Sequence, residues 1–130
     1  MFNESHSLRT ATSRVRYLGA ARSGTQHNWH MRATSIALVP LTIGFVWLVL
    51  SLIGKDYATV RSTLGSPVPA LLMLLFLGTG IFHMMLGMQT IIEDYVHGAH
   101  SKHWALLANT FFCVVIGLAC VYAILRISFV

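Results

Sequence analysis

The sequence predicts an all-α membrane protein with three transmembrane helices, and two observations carry that prediction. Hydrophobic residues make up 55% of the 130 residues and charged residues only 10%, whereas an average soluble domain has about 25% charged residues. The charged residues also leave three long segments free, at 33–54, 62–92 and 103–125. Because a helix needs about 20 mostly apolar residues to cross a bilayer, each segment is long enough to span one.

The three segments predict helices near 29–53, 67–93 and 103–127. Their Val and Ile residues would also suit strands, but a bilayer core accepts only helices or closed barrels, and three segments cannot close a barrel. The sequence is therefore expected to form a tail at 1–28 and a single three-helix domain at 29–130.

Lys and Arg residues set the predicted orientation. Six of them lie in the N-terminal tail, at the entry to the first span or in the loop at 93–103, and three lie on the opposite side. The first group is Arg9, Arg14, Arg16, Arg22, Arg32 and Lys102, and the second is Lys55, Arg61 and Arg126. The positive-inside rule then predicts that the N-terminus is cytoplasmic. Basic residues dispersed beside membrane spans argue against nucleic-acid binding, so the expected surrounding is the lipid membrane.

Motifs of soluble enzymes and of secreted proteins are missing from the sequence. There is no glycine-rich phosphate loop, and no convincing Ser-His-Asp set. Cys113 and Cys120 lie inside the third segment without a CxxC or zinc spacing, so we expect them to pack as small hydrophobic side chains. Residues 1–20 contain no apolar stretch long enough for a signal peptide.

His83 is the main functional candidate, because ionisable residues inside a membrane are costly. At about 100° per residue, Phe76, Gly80, His83, Gly87 and Asp94 fall within roughly 60° of one another. The two glycines would let a flat ring approach the helix beside His83, and imidazole is an axial ligand of haem iron. Two alternatives stay open: a structural histidine in close helix packing, and a proton relay or transport role. A six-coordinate haem would need its second ligand from another subunit.

Asp94 and Tyr95 lie at the predicted cytoplasmic end of the second span. An aspartate at a helix C-terminus is electrostatically unfavourable, so we expect a cationic partner for Asp94. Tyr95 follows His83 by 12 residues, about 18 Å along the helix axis. Its hydroxyl would suit a hydrogen bond to a quinone carbonyl, although an interfacial tyrosine is also an ordinary membrane anchor.

The entry to the first span carries His27, His30 and Arg32. These residues either mark the membrane interface or bind an anion such as a haem propionate, with Arg32 and one of the two histidines as the contacts.

Two segments of the sequence carry motifs that are more specific than its composition. One is SGTQHNWHMRATSIALVPL at 23–41, with an H…R-x-T entry to the first span. The other is HMMLGMQTIIEDYVH at 83–97, with the pattern H-x-x-x-G-x-x-x-x-x-x-D-Y. Both resemble the hydrophobic membrane anchor of succinate dehydrogenase, the subunit that pairs with the cytochrome b556 subunit in respiratory complex II. Chain length, three spans and the predicted topology also fit this family.

The resemblance implies roles for single residues. His83 would be the axial haem b ligand from this chain, with the second histidine from the cytochrome b556 partner. Tyr95 would hydrogen-bond ubiquinone and Asp94 would support that site. Arg32, with His27 or His30, would lie near the haem propionates and the quinone site.

The resemblance also implies a complex and a location. The chain would pack with a second anchor subunit and would associate with an iron–sulfur subunit and a flavoprotein subunit. The expected location is the bacterial inner membrane, ahead of the mitochondrial inner membrane. It would help pass electrons from succinate oxidation to quinone. Alone it would catalyse nothing, since it has no cluster or flavin motif. The alternatives are the anchor of a quinol:fumarate reductase, and a non-redox assembly or transport subunit.

Overall fold

A computed structural model describes residues 22–129 of the chain, with side chains from residue 24 onward. It contains four helices: α1 at Arg22–Leu52, α2 at Tyr57–Gly65, α3 at Pro67–Tyr95 and α4 at Ala99–Phe129. No strand occurs within these residues, so the predicted all-α fold class is confirmed. The N-terminal tail up to residue 21 lies outside the described residues, and its cytoplasmic location stays a prediction.

The three long helices are long and apolar enough to cross a membrane. Helices of 29 and 31 residues extend for about 45 Å, which exceeds the roughly 30 Å hydrocarbon core of a bilayer. Each therefore continues beyond the apolar segment that predicts it. The first shows this most clearly, because α1 begins at Arg22, seven residues before the predicted start near 29.

Helix α3 is the centre of the structure. Helices α1 and α4 both pack against α3, while they have at most marginal contact with each other. On one side, Phe45 of α1 stacks on Phe76 of α3 with ring centroids 4.4 Å apart. On the other, Asn109 Nδ2 of α4 donates a hydrogen bond of 3.0 Å to the Met85 carbonyl oxygen of α3. The helices thus form an open row rather than a closed bundle.

Very little of this row is buried within the chain itself. Six of the described residues are buried: Leu48, Ala70, Leu86, Asn109, Cys113 and Ile124. Large apolar side chains such as Ile36, Trp47 and Leu118 are more than half exposed. In a bilayer, lipid or another protein is expected to cover these side chains, which the described part of the chain leaves exposed.

The short helix α2 was not among the predicted elements. Gly54, with a positive φ of 77°, ends α1 in the left-handed conformation that glycine adopts readily. Asp56 then caps α2: its carboxylate accepts hydrogen bonds from the Thr59 hydroxyl at 2.6 Å and from the Thr59 backbone N–H at 3.3 Å. These hydrogen bonds, the hydroxyl first, hold the pKa of the Asp56 carboxyl below its ordinary value.

Gly65 ends α2 at a close contact with α4. A Cβ atom at Gly65 would lie 2.8 Å from the Ile127 carbonyl oxygen. Since that obstacle is backbone rather than a flexible side chain, α2 packs against the end of α4 only because residue 65 has no side chain.

Gly65→Ala is therefore expected to destabilise the protein. Inserting a methyl group against rigid backbone costs about 1–3 kcal/mol, and this should appear as a lower midpoint of thermal unfolding in detergent, followed by circular dichroism. Gly78→Ala is the matched control, because a Cβ atom there meets nothing within 4 Å. Equal midpoints for the two variants would contradict the close packing of α2 on α4.

Candidate functional site

His83 lies near the middle of the described transmembrane row, at the contact between α3 and α1. Its side chain is half-buried, and its Nδ1 atom lies 2.8 Å from the Thr34 hydroxyl oxygen of α1. The same hydroxyl lies 2.8 Å from the His30 carbonyl oxygen, one turn earlier in α1. The imidazole is thus tied to α1 through one ring nitrogen.

The other ring nitrogen of His83 is accessible. Nε2 makes no hydrogen bond with any residue from 22 to 129. In that part of the chain no buried side-chain nitrogen or oxygen lacks a partner, so an unpartnered Nε2 must lie at the surface of the row. Nε2 is therefore not sealed within the described part of the chain.

The predicted face of α3 is divided between packing and open space. Phe76 stacks on Phe45, and a Cβ atom at Gly80 would lie 3.9 Å from a methyl group of Leu38, so α1 covers this part of the face. A Cβ atom at Gly87 would meet nothing within 4 Å. The open space beside His83 consequently lies toward the end of α3 that carries Asp94 and Tyr95.

A second histidine–threonine contact lies along the same α1–α3 seam. His27 Nε2 of α1 lies 3.1 Å from the Thr90 hydroxyl oxygen of α3, and that hydroxyl donates to the Leu86 carbonyl oxygen at 3.1 Å. His30 is exposed and meets the ring of Phe82 edge to face, with centroids 6.0 Å apart. The structure therefore brings both histidines to the seam that holds His83.

Arg32 is placed differently. It is exposed, and two residues of helix turn it by about 200° from Thr34, the residue that contacts His83. It therefore lies on the side of α1 that faces away from α3. Any anion that Arg32 binds must approach from outside the α1–α3 seam.

Asp94 and Tyr95 lie at the exposed C-terminal end of α3, and the Tyr95 side chain is 77% exposed. Lys102 donates its Nζ to the Glu93 carbonyl oxygen at 2.8 Å, and Glu93 accepts a hydrogen bond from Gln89 at 2.8 Å. The Asp94 carboxylate makes no hydrogen bond within the described part of the chain. Lys102, the nearest lysine in sequence, thus bonds a backbone carbonyl oxygen at the helix end and not the Asp94 carboxylate.

An apolar groove of about 320 Å³ separates α3 from α4, on the side of α3 away from His83. Gly78, Gly117, Cys113 and Cys120 are among the residues that line it, and both cysteines are free. Residues 22–129 contain no group of three or more His, Cys, Asp or Glu side chains that could hold a metal ion. The groove is shaped for apolar packing, whereas the contacts of His27 and His83 with threonine hydroxyls lie in the α1–α3 seam.

Comparison with known proteins gives one family. The family described as succinate dehydrogenase/fumarate reductase transmembrane subunit matches residues 6–117. The chain is 36% identical over 111 residues to the succinate dehydrogenase hydrophobic membrane anchor subunit of Paracoccus denitrificans, covering 85% of each chain. The protein of the same name from Rickettsia bellii is 26% identical over 119 residues, which is 92% of this chain and 95% of the relative. No solved structure matches the chain significantly.

The family match confirms the resemblance seen in the two sequence segments. Three apolar helices and bacterial relatives support a multi-pass protein of the bacterial inner membrane. Because the match covers far more than half of its length, the chain belongs to the succinate dehydrogenase/fumarate reductase transmembrane subunit family.

Proposed function

We propose that this chain is the hydrophobic membrane anchor of a succinate dehydrogenase and that it supplies part of a haem b site and part of a ubiquinone site. The relatives compared above, which match most of the chain, carry the anchor name. The open helix row supports the same role, because its exposed apolar faces need a second membrane subunit or lipid to cover them. The proposed partners are the cytochrome b556 subunit in the membrane and the iron–sulfur and flavoprotein subunits beside it.

The accessible Nε2 of His83 is the observation that carries the haem proposal. A haem axial ligand needs one nitrogen with a free lone pair and room for a flat macrocycle. The residues fit: Thr34 holds Nδ1, Nε2 faces outward, and the missing side chain at Gly87 leaves space beside the ring. The haem iron, when bound, takes up and releases single electrons. The second histidine is assigned to the partner, since His27 already contacts Thr90 and His30 contacts the ring of Phe82.

The propionate side of the haem is proposed for the start of α1. Haem propionates are anions, and Arg32 with His27 or His30 offers the cationic or hydrogen-bonding groups. His27 already bonds Thr90, which leaves one of its ring nitrogens for such a contact. The exposed Arg32 reaches a propionate only on the outer side of α1, next to the partner.

Tyr95 and Asp94 are proposed as this chain's share of the ubiquinone site. Reduction of a quinone to a quinol needs two electrons and two protons at its carbonyl oxygens. The exposed Tyr95 hydroxyl is suited to donate a hydrogen bond to one of these oxygens. The free Asp94 carboxylate is suited to hold a cationic side chain of the partner, which together with Tyr95 orients the head group at the membrane interface.

The family description includes fumarate reductase, which runs the same chemistry in the opposite direction. The relatives compared above are named for succinate dehydrogenase, and this favours succinate oxidation as the physiological direction. The redox potential of the quinone that co-purifies distinguishes the two directions. Co-purification with neither a flavoprotein nor an iron–sulfur protein would favour a non-redox assembly or transport subunit instead.

His83→Ala is expected to abolish bis-histidine haem b in the purified complex, because the variant removes one of two axial ligands. The optical and electron paramagnetic resonance spectra of the detergent-purified complex measure this. His100→Ala is the control, since His100 is exposed at the start of α4. Full occupancy and an unchanged spectrum in His83→Ala would refute the ligand assignment.

Tyr95→Phe is expected to lower kcat/KM for ubiquinone by about tenfold. That factor corresponds to the loss of one hydrogen bond of roughly 1–1.5 kcal/mol. Succinate:ubiquinone reductase activity of the complex measures it, with succinate oxidation by an artificial acceptor as an internal check on the soluble subunits. Tyr122→Phe is the matched control, because Tyr122 is similarly exposed on α4 and lies near its other end. Wild-type kinetics in Tyr95→Phe would leave Tyr95 as a membrane anchor only.

A further inference from the structure

We propose that Thr34 is a positioning residue for His83: its hydroxyl oxygen accepts a hydrogen bond from the imidazole Nδ1–H and thereby fixes Nε2 as the nitrogen with the free lone pair. The inference rests on the proposed haem function, and it adds a role for a residue of α1 that does not touch the iron. It starts from the 2.8 Å contact between the Thr34 hydroxyl and His83 Nδ1.

The direction of this hydrogen bond follows from counting protons. The Thr34 hydroxyl has one proton and two lone pairs. It lies 2.8 Å from the His30 carbonyl oxygen, which can only accept. If the hydroxyl proton goes to that carbonyl, the hydroxyl oxygen must accept from His83, so Nδ1 carries the imidazole proton. If the Thr34 hydroxyl instead donated its proton to Nδ1, its hydrogen bond to the His30 carbonyl oxygen would be lost.

Other threonines in the helices of this protein also donate their hydroxyl proton to a backbone carbonyl oxygen. Three more helical threonines place their hydroxyl within hydrogen-bond distance of the carbonyl oxygen four residues earlier: Thr63, Thr90 and Thr110. This back-bond is the habitual one for threonine inside a helix. Thr34 therefore reaches His83 with its acceptor side, as Thr90 reaches His27.

The arrangement matches what a metal-bound histidine requires. Such a histidine nearly always donates its second ring N–H to a carboxylate, a backbone carbonyl or water, and this fixes its tautomer and raises its basicity as a ligand. Here the Thr34 hydroxyl takes the place of the water and passes the hydrogen bond on to the His30 carbonyl. Inside a bilayer no bulk water can replace the hydroxyl, because the hydrocarbon core excludes it.

The test measures the midpoint potential and the electron paramagnetic resonance spectrum of haem b in the purified complex. Thr34→Val keeps the shape of the side chain and removes the acceptor. A more basic ligand favours ferric iron, so the variant should raise the midpoint potential. A loss of about tenfold in the preference of the ligand for ferric over ferrous iron converts to about 59 mV for one electron. Thr34→Ser keeps the hydroxyl and should restore the wild-type potential.

Thr110→Val is the matched control, because Thr110 is exposed on α4 and makes the same back-bond with no histidine beside it. A purely structural role for Thr34 would change the yield of the complex without a shift of the potential. Haem-loaded Thr34→Val complex with the wild-type potential and spectrum would overturn the inference. If Thr34→Val does not assemble, Thr34→Cys, whose thiol is a weak acceptor, must shift the potential in the same direction, and an unchanged potential there overturns it equally.

The outcome for the haem proposal itself is separate. Full haem b occupancy with an unchanged spectrum in His83→Ala would remove the assignment of His83 as a haem ligand, whereas an unchanged potential in Thr34→Val would remove only the role of Thr34 and leave His83 as the ligand.

Discussion

The antiparallel packing of α1 on α3 is the interaction on which the rest of the structure depends. Three contacts lie along this seam: the Phe45–Phe76 stack, the Thr34–His83 hydrogen bond and the His27–Thr90 hydrogen bond. The two hydrogen-bonded pairs share one register, because they lie seven residues, or two helical turns, apart on each helix and in opposite directions along α1 and α3. Apolar packing thus holds one half of the seam, and paired polar groups hold the other. The site is built into the contact that holds the helices together.

The open row of helices has a physical basis in the membrane. Lipid chains are as apolar as leucine, so exposed apolar faces carry no penalty there, and helices associate through close packing and hydrogen bonds. Asn109, buried against α3, and the stacked pair of Phe45 and Phe76 are contacts of that kind. Since no hydrophobic force closes the bundle, the row keeps surfaces where a second subunit can contribute an axial ligand. Such an exposed surface is what the shared haem site proposed above would need.

Much of this could be predicted from the sequence because the membrane leaves a strong signal in the charges. Long uncharged segments fixed the number and class of the helices, and the turn of 100° per residue placed His83 and Gly87 on one face. The same geometry would also have shown that Arg32 faces away from Thr34. Helix α2 was missed because it is short and lies between the predicted helices near 29–53 and 67–93. Its signal was Asp56 followed three residues later by Thr59, a helix cap.

The partner of His83 could not be predicted for a different reason. The Thr34–His83 contact joins residues 49 positions apart, and only the register of two packed helices brings them together. A single sequence shows which residues share a face of one helix, but not which face of its neighbour they meet. The open space beside Gly87, in contrast to the covered Gly80, is equally a property of the packing.

The charge of Asp94 is not compensated at the C-terminal end of α3 by the nearest lysine in sequence. The C-terminus of a helix carries partial negative charge, which disfavours a carboxylate and favours a cation. Lys102 meets this demand by bonding the Glu93 carbonyl oxygen, so it compensates the backbone and not Asp94. The Asp94 carboxylate therefore keeps an unfavourable position unless a cation from outside the described residues approaches it. Because α3 is one continuous helix from Pro67 to Tyr95, such a cation would be held at a fixed distance from His83. A subunit that supplied the second haem ligand would then be well placed to supply this charge as well.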